Sequence, residues 1–219
     1  MLNVIYEDKD KIIVNKPAGQ LSQSDRGFDM DLVSEVLTYR KNKGEEAYAA
    51  IINRLDRPVS GLVLIAKNKK EAARLSALMQ RESLCKQYLV LVCGRPHSDT
   101  GTFTDYLLKN GKDNTSKVVS KEQAGAKKAV LEYSLIDYDE ERNVSRLLIN
   151  LITGRHHQIR VQLSSRNLPV VGDGKYGGNP AVKKAEEYHI KRGCIALYAK
   201  SLTVDGKVYE IEPEFSGGK

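Results

Sequence analysis

Residues 129–154, AVLEYSLIDYDEERNVSRLLINLITG, constrain the fold more than any other stretch of the chain. Two runs rich in Leu, Ile, Val and Tyr flank the acidic, turn-forming DEERN, the pattern of two antiparallel strands joined by a short connection. The pattern recurs at both ends of the sequence. VIYEDKDKIIV places two apolar runs around an Asp/Lys turn, and IALYAKSLTVDGKVYEIEP does the same around Asp205-Gly206, a dipeptide suited to a tight hairpin. LVLIA (62–66) and KQYLVLVCG (86–94) read as further strands.

Helical periodicity appears between these runs. Asp31 can cap a helix reaching to about Lys43 with Val33, Val36 and Leu37 on one face, and 69 to about 82 carries Ala72, Leu75, Leu78 and Met79 at helical spacing. A short helix from His156 to about Arg166 has Ile159 and Leu163 four apart and stops at Asn167 and Pro169. Strands joined by turns outnumber helices. The expected class is α+β, with a mixed, mostly antiparallel sheet flanked by helices and loops. With no internal repeat or linker, residues 1–219 read as a single domain with a basic insert around 101–128.

Within that insert, TSKVVSKEQAGAKKA has four lysines against one glutamate. It reads as a solvated loop or hairpin, or as an arm that touches phosphates. The formal charge of +7 points the same way, toward an acidic partner. Acids at the start of the chain are unlike a signal peptide, and no long apolar run suits a membrane span, so a cytoplasmic protein is expected. Cys85, Cys93 and Cys194 lack metal-ligand spacing and read as reduced thiols.

The chemistry-bearing segments are NRLDRPVSG (53–61), KQYLVLV (86–92), GRHHQIR (154–160) and VVGDGKYGG (170–178). None is a phosphate loop, a dinucleotide fingerprint, a nucleophile elbow or a zinc helix. Asp56, set between Arg54 and Arg57, is either structural electrostatics or a reactive carboxylate held ionised by cations. Tyr88 shares its strand face with Val90 and Val92, which also suits a core tyrosine. Asp173 could join Asp56 as a glycosidase-like carboxylate pair, but the flanking Gly172 and Gly174 favour ordinary turn chemistry.

Together with NKPAG near the start and the closing IALYA strand, these four segments resemble the RluA-type pseudouridine synthases over nearly the whole chain. The sequence departs from the family pattern at Asn53, commonly His, and at Val59, commonly Thr, positions that bear on the loop's hydrogen bonding. The resemblance implies a pseudouridine synthase-like fold and isomerisation of specific uridines in ribosomal or transfer RNA, with no metal or redox cofactor.

By the same resemblance Asp56, Tyr88 and Arg160 are catalytic: the acid attacks or takes a proton, Arg160 pairs with it, and Tyr88 stacks on the flipped uracil and assists loss of the C5 proton. Arg54, which holds the stack open when the base leaves, is implied to bind substrate, as are Arg57, Arg155, His156 and Gln158. His156 and His157 read as helix-start residues near the RNA or the rim of the site rather than as metal ligands.

The expected partner is an RNA stem-loop, where extruding a base is least costly. Many relatives carry an N-terminal module of the S4 type, whereas here the catalytic-type sequence begins at once; a stand-alone catalytic domain, monomeric and without an obligate protein partner, is therefore expected. Two other readings remain: an inactive RNA-binding protein of the same fold, and a nucleoside or sugar hydrolase using Asp56 and Asp173.

Overall fold

In the computed structural model, which describes residues 2–24 and 31–213, Asp8 shapes the first turn. Its Oδ1 accepts from the amides of Asp10 and Lys11 at 2.8 and 2.7 Å, a local substitute for backbone pairing that lets β1 (Val4–Glu7) fold back on β2 (Lys11–Lys16).

Asp31 then caps α1 (Leu32–Asn42), accepting from Ser34 N at 2.7 Å. The buried stripe of α1 is Leu32, Val36 and Arg40, so the helix is rotated relative to the expected Val33, Val36, Leu37 face. Arg40 completes that stripe. Its guanidinium donates to Glu45 at 3.0 Å, to the Lys67 carbonyl at 2.7 Å and to the Tyr48 carbonyl, which lets a charged side chain occupy a core position.

Next come β3 (Ala50–Ile51), β4 (Ser60–Ala66) and α2 (Lys69–Gln80), the last capped by Asn68 accepting from Glu71 N at 2.9 Å. The chain continues through β5 (Cys85–Cys93), β6 (Thr100–Asn110), β7 (Thr115–Val119), β8 (Lys127–Asp139) and β9 (Val144–Leu151). It then passes α3 (Gln158–Ser164) and α4 (Gly178–Glu187) and ends in β10 (Leu197–Val204) and β11 (Lys207–Glu210).

These elements form two compact units: Met1–Leu84 with Ala199–Glu212, and Cys85–Tyr198 with Pro213–Lys219. In the first, β1, β2 and β4 are consecutive antiparallel neighbours, β3 pairs with β4, and β11 pairs with β10. Ile13, Leu62, Leu64, Leu75, Leu202 and Val204 fill its core, with Ala72, Leu78 and Met79 of α2 packed against them. At the head of β4, Gly61 has φ +116°, and a Cβ there would lie 2.5 Å from the Ala199 nitrogen. Only glycine fits both conditions.

In the second unit the strand order is β5-β9-β8-β6-β7, each neighbouring pair antiparallel. The long hairpin read from residues 129–154 is the β8–β9 pair. The basic 101–128 segment is a β6–β7 hairpin leading into β8 rather than an irregular loop. Two small clusters close this unit, one of Leu91, Val144, Val171, Ala185 and Ala196, the other of Leu107, Ala129 and Val161.

Two further helices differ from the sequence expectation. α3 begins at Gln158, because His157 at φ 54° is left-handed and residues 155–157 form a turn. α4 has no counterpart in the sequence expectation: Pro180 sits in its first turn, where proline is tolerated, and Ala181 and Ala185 form a buried i,i+4 pair.

Candidate active site

In the first unit the segment around Asp56 is tied down at alternate residues. Asn53 Nδ2 donates to Leu62 O at 3.0 Å and its Oδ1 accepts from Leu64 N at 2.7 Å, which fastens the loop to β4. Leu55 is bound by Ser22, whose hydroxyl donates to Leu55 O at 2.7 Å and accepts from Leu55 N at 3.1 Å.

The Arg57 carbonyl accepts from Gly19 N at 2.7 Å and from Lys16 Nζ at 3.5 Å, and Arg57 Nε donates back to Gly19 O at 3.0 Å. Val59 N closes a turn onto Asp56 O at 3.0 Å. Residues 53 and 55 are consequently buried, Arg54 is exposed and Asp56 is half-buried. Alternation along an extended segment sends successive side chains to opposite sides, so anchoring one set presents the other.

Lys16 is fully buried, and its ammonium also donates to the carbonyls of Pro17 at 3.0 Å and Gln20 at 2.9 Å. A cation removed from water needs such acceptors. Here they belong to the loop that faces the Asp56 segment.

In the second unit Tyr88 lies on β5, 7% exposed, directly across from Ile149 of β9. Arg160 lies on α3, where its Nε and Nη2 donate to the two oxygens of Asp173 at 2.7 and 2.9 Å. Asp173 is 1% exposed, and its Oδ1 also accepts from the amides of Lys175 and Tyr176 at 3.0 and 3.2 Å. The turn expected at GDGKYGG is present, and its carboxylate binds an arginine as well. A guanidinium has five N–H donors, of which Asp173 takes two.

Tyr176 connects this pair to the β7 strand. The Arg160 guanidinium sits 5.1 Å from its ring centre, and its hydroxyl lies 2.9 Å from Ser116 N and 2.7 Å from His157 Nδ1. The rings of His156 and His157 stack at 3.8 Å, and His156 reaches Ser116 Oγ at 2.8 Å and Asn114 Oδ1 at 3.0 Å. The two histidines thus dock the β6–β7 hairpin against the start of α3.

Of the remaining expected site residues, Arg155 is half-buried and its Nε donates to Lys128 O at 2.8 Å. Gln158, expected at the substrate, is 3% exposed: its Oε1 accepts from Thr153 Oγ1 and Arg155 N, and its Nε2 donates to Val130 O. That side chain braces the turn, with its amide engaged inside the protein. Sequence reasoning missed Lys16, Ser22 and Tyr176 as supports. The local signal was slight: Lys16 lies within the NKPAG turn and Ser22 three residues beyond it.

The RNA pseudouridylate synthase family matches residues 10–165. Ribosomal large subunit pseudouridine synthase D of Escherichia coli K12 is 32% identical over 98% of this chain and 66% of its own length. Ribosomal large subunit pseudouridine synthase C of Rickettsia felis is 29% identical over 94% of this chain and 67% of its own. The chain therefore spans about two thirds of the length of these relatives. Among solved structures, human RNA Pseudouridylate Synthase Domain Containing 4 shares the fold with a TM-score of 0.80 at 18% identity, covering 97% of this chain and 89% of that one. The chain belongs to the RNA pseudouridine synthase family of the RluA type, with the mixed-sheet fold read from its motifs.

Proposed function

We propose that the protein isomerises specific uridines to pseudouridine in ribosomal RNA, the class of RNA that the relatives' names specify, with transfer RNA as the other candidate substrate. The observation that carries this reading is the family match together with the Asp56 segment, in which the residues on either side of the acid are fixed by Ser22, Gly19 and Lys16.

The reaction breaks the N1–C1′ bond, turns the base over, joins C5 to C1′, then removes the C5 proton and returns one to N1. A carboxylate serves it as nucleophile or as base. Asp56 is assigned that task, Arg160 the task of orienting and balancing the carboxylate, and Tyr88 contact with the extruded uracil. Arg54, exposed beside the acid, suits the place left in the stack. Arg57, Arg155 and His156 are assigned contacts around the RNA.

Phosphate contacts are assigned to the β6–β7 hairpin, the connection that follows it and the start of β8, where Lys109, Lys112, Lys117, Lys121, Lys127 and Lys128 are all exposed. The hydrolase reading has little support, because Asp173 is buried and bonded by Arg160 and two amides, which is poor placement for a second working carboxylate. The protein acts as a monomer in the cytoplasm and without a bound cofactor on this proposal; no described helix is long and apolar enough to cross a membrane. Mapping pseudouridine in total RNA from cells with and without the gene tests the reading: loss of one or a few sites in the deletion supports it, and an unchanged map overturns it.

A further inference from the structure

We infer that Ser22 is a positioning residue for Asp56, acting through the peptide that joins Leu55 to it; the inference rests on Asp56 being the catalytic acid. Ser22 is 5% exposed, and Leu55 is 6% exposed. The hydroxyl both donates to Leu55 O at 2.7 Å and accepts from Leu55 N at 3.1 Å, so one side chain satisfies both main-chain polar groups of the residue preceding the acid.

The consequence follows from peptide planarity. The Leu55 carbonyl and the Asp56 amide belong to one rigid plane, so a hydrogen bond that fixes the carbonyl also fixes the amide. Only rotation about the N–Cα bond then remains on that side of Asp56. On the other side the Asp56 carbonyl accepts from Val59 N at 3.0 Å, and the next carbonyl, of Arg57, accepts from Gly19 N at 2.7 Å. With both flanking peptides held, the direction of the Asp56 Cα–Cβ bond is set by the backbone, and only the side chain's own torsions remain to aim the carboxylate.

Alanine at position 22 leaves a buried N–H and a buried C=O unpaired, and the peptide relieves that by rotating, which moves the carboxylate. Threonine keeps the hydroxyl. Cysteine keeps the size but offers only weak hydrogen bonding.

The test uses the whole chain and bulk RNA transcribed without modification and labelled with tritium at uracil C5, whose release reports turnover. Rates are read at saturating protein, well below the unfolding midpoint, with RNA affinity measured separately. Ser22→Ala is expected to slow the single-turnover rate about 10- to 100-fold, the scale of a small misplacement of a reacting group, while RNA affinity changes less than about twofold. Ser22→Thr is expected to recover most of the rate. A merely structural serine would lower the midpoint and leave the rate of the folded protein unchanged.

If Ser22→Ala does not fold, Ser22→Cys carries the test, with slowing of at least about fivefold expected. A folded alanine or cysteine variant turning over at the wild-type rate overturns the inference. Asp56→Asn, run alongside, separates the two levels: product from that variant removes the catalytic assignment, whereas an inert Asp56→Asn beside a fully active Ser22→Ala removes only the role of Ser22.

Discussion

Arg160 and Asp173 meet edge to edge, Nε and Nη2 against two carboxylate oxygens at 2.7 and 2.9 Å, with both side chains almost wholly removed from water. Burying two charges costs several kcal/mol per ion, and the parallel hydrogen bonds, with two further amides on Asp173, offset that cost. The pair fixes the roll of α3 relative to the 173–176 turn. It also determines where the other edge of the guanidinium faces.

Asp173→Asn tests the pair. Asparagine can still accept from the amides of Lys175 and Tyr176, but it takes one carboxylate charge away from a buried guanidinium, so a loss of up to about 3–5 kcal/mol is expected, the usual range for breaking a buried pair from one side. Native-state hydrogen exchange of the α3 amides reads it. A change under about 1 kcal/mol would mean that the pair contributes far less than its geometry suggests.

The β6–β7 hairpin makes a separate prediction. Lys117 on β7 and Lys121 in the connection from β7 to β8 are exposed, and the hairpin is held by the contacts of Ser116 and Asn114 with His156. Replacing both with alanine is expected to lower the slope of log affinity against log salt by about 0.7–0.9 for each phosphate that is no longer neutralised. An unchanged slope removes these two lysines from the interface.

Acid stability of the first unit follows from its carboxylates. Glu45 is lowered to about 2 chiefly by its bonds from Lys67 and Arg40. Burial pushes Asp8 up, but the amides of Lys11 and Asp10 and the Lys11 ammonium outweigh it and bring that group to about 2 as well. Folded values below the ordinary value of about 4 mean that the stabilisation is complete above pH 4 and is lost as pH falls toward 2. The denaturation midpoint of this unit is expected to fall steeply across that window, and Glu45→Gln to flatten part of the fall. A midpoint independent of pH between 4 and 2 contradicts the assignment.

Much of this was legible locally. The hairpins, the Asp31 cap and the Asp205-Gly206 turn depend on residues within a few positions of one another, and each formed where its pattern placed it. What the pattern hid was non-local or ambiguous in sign. Ser22 bonds Leu55 across 33 positions, and a serine in a polar loop carries no mark of that. Arg40 occupies a core position because three acceptors surround it, which hydrophobic periodicity scores as an error. Gln158 sits in a motif associated with substrate yet braces its own turn. The roles proposed for Asp56, Tyr88 and Arg160 rest on ordered motifs rather than on any single residue.

The central claim is that Asp56 performs the chemistry, and one variant addresses it directly. Asp56→Asn keeps the size and half-buried setting of the side chain but removes its charge and nucleophilic oxygen. The measurement is pseudouridine formed on the protein's own RNA, mapped after incubation with saturating enzyme, alongside RNA affinity. No detectable pseudouridine, with affinity within about threefold of wild type, is the predicted result, since an interaction used only in the transition state affects rate and not binding. Pseudouridine formed at the wild-type site by the asparagine variant would contradict the account.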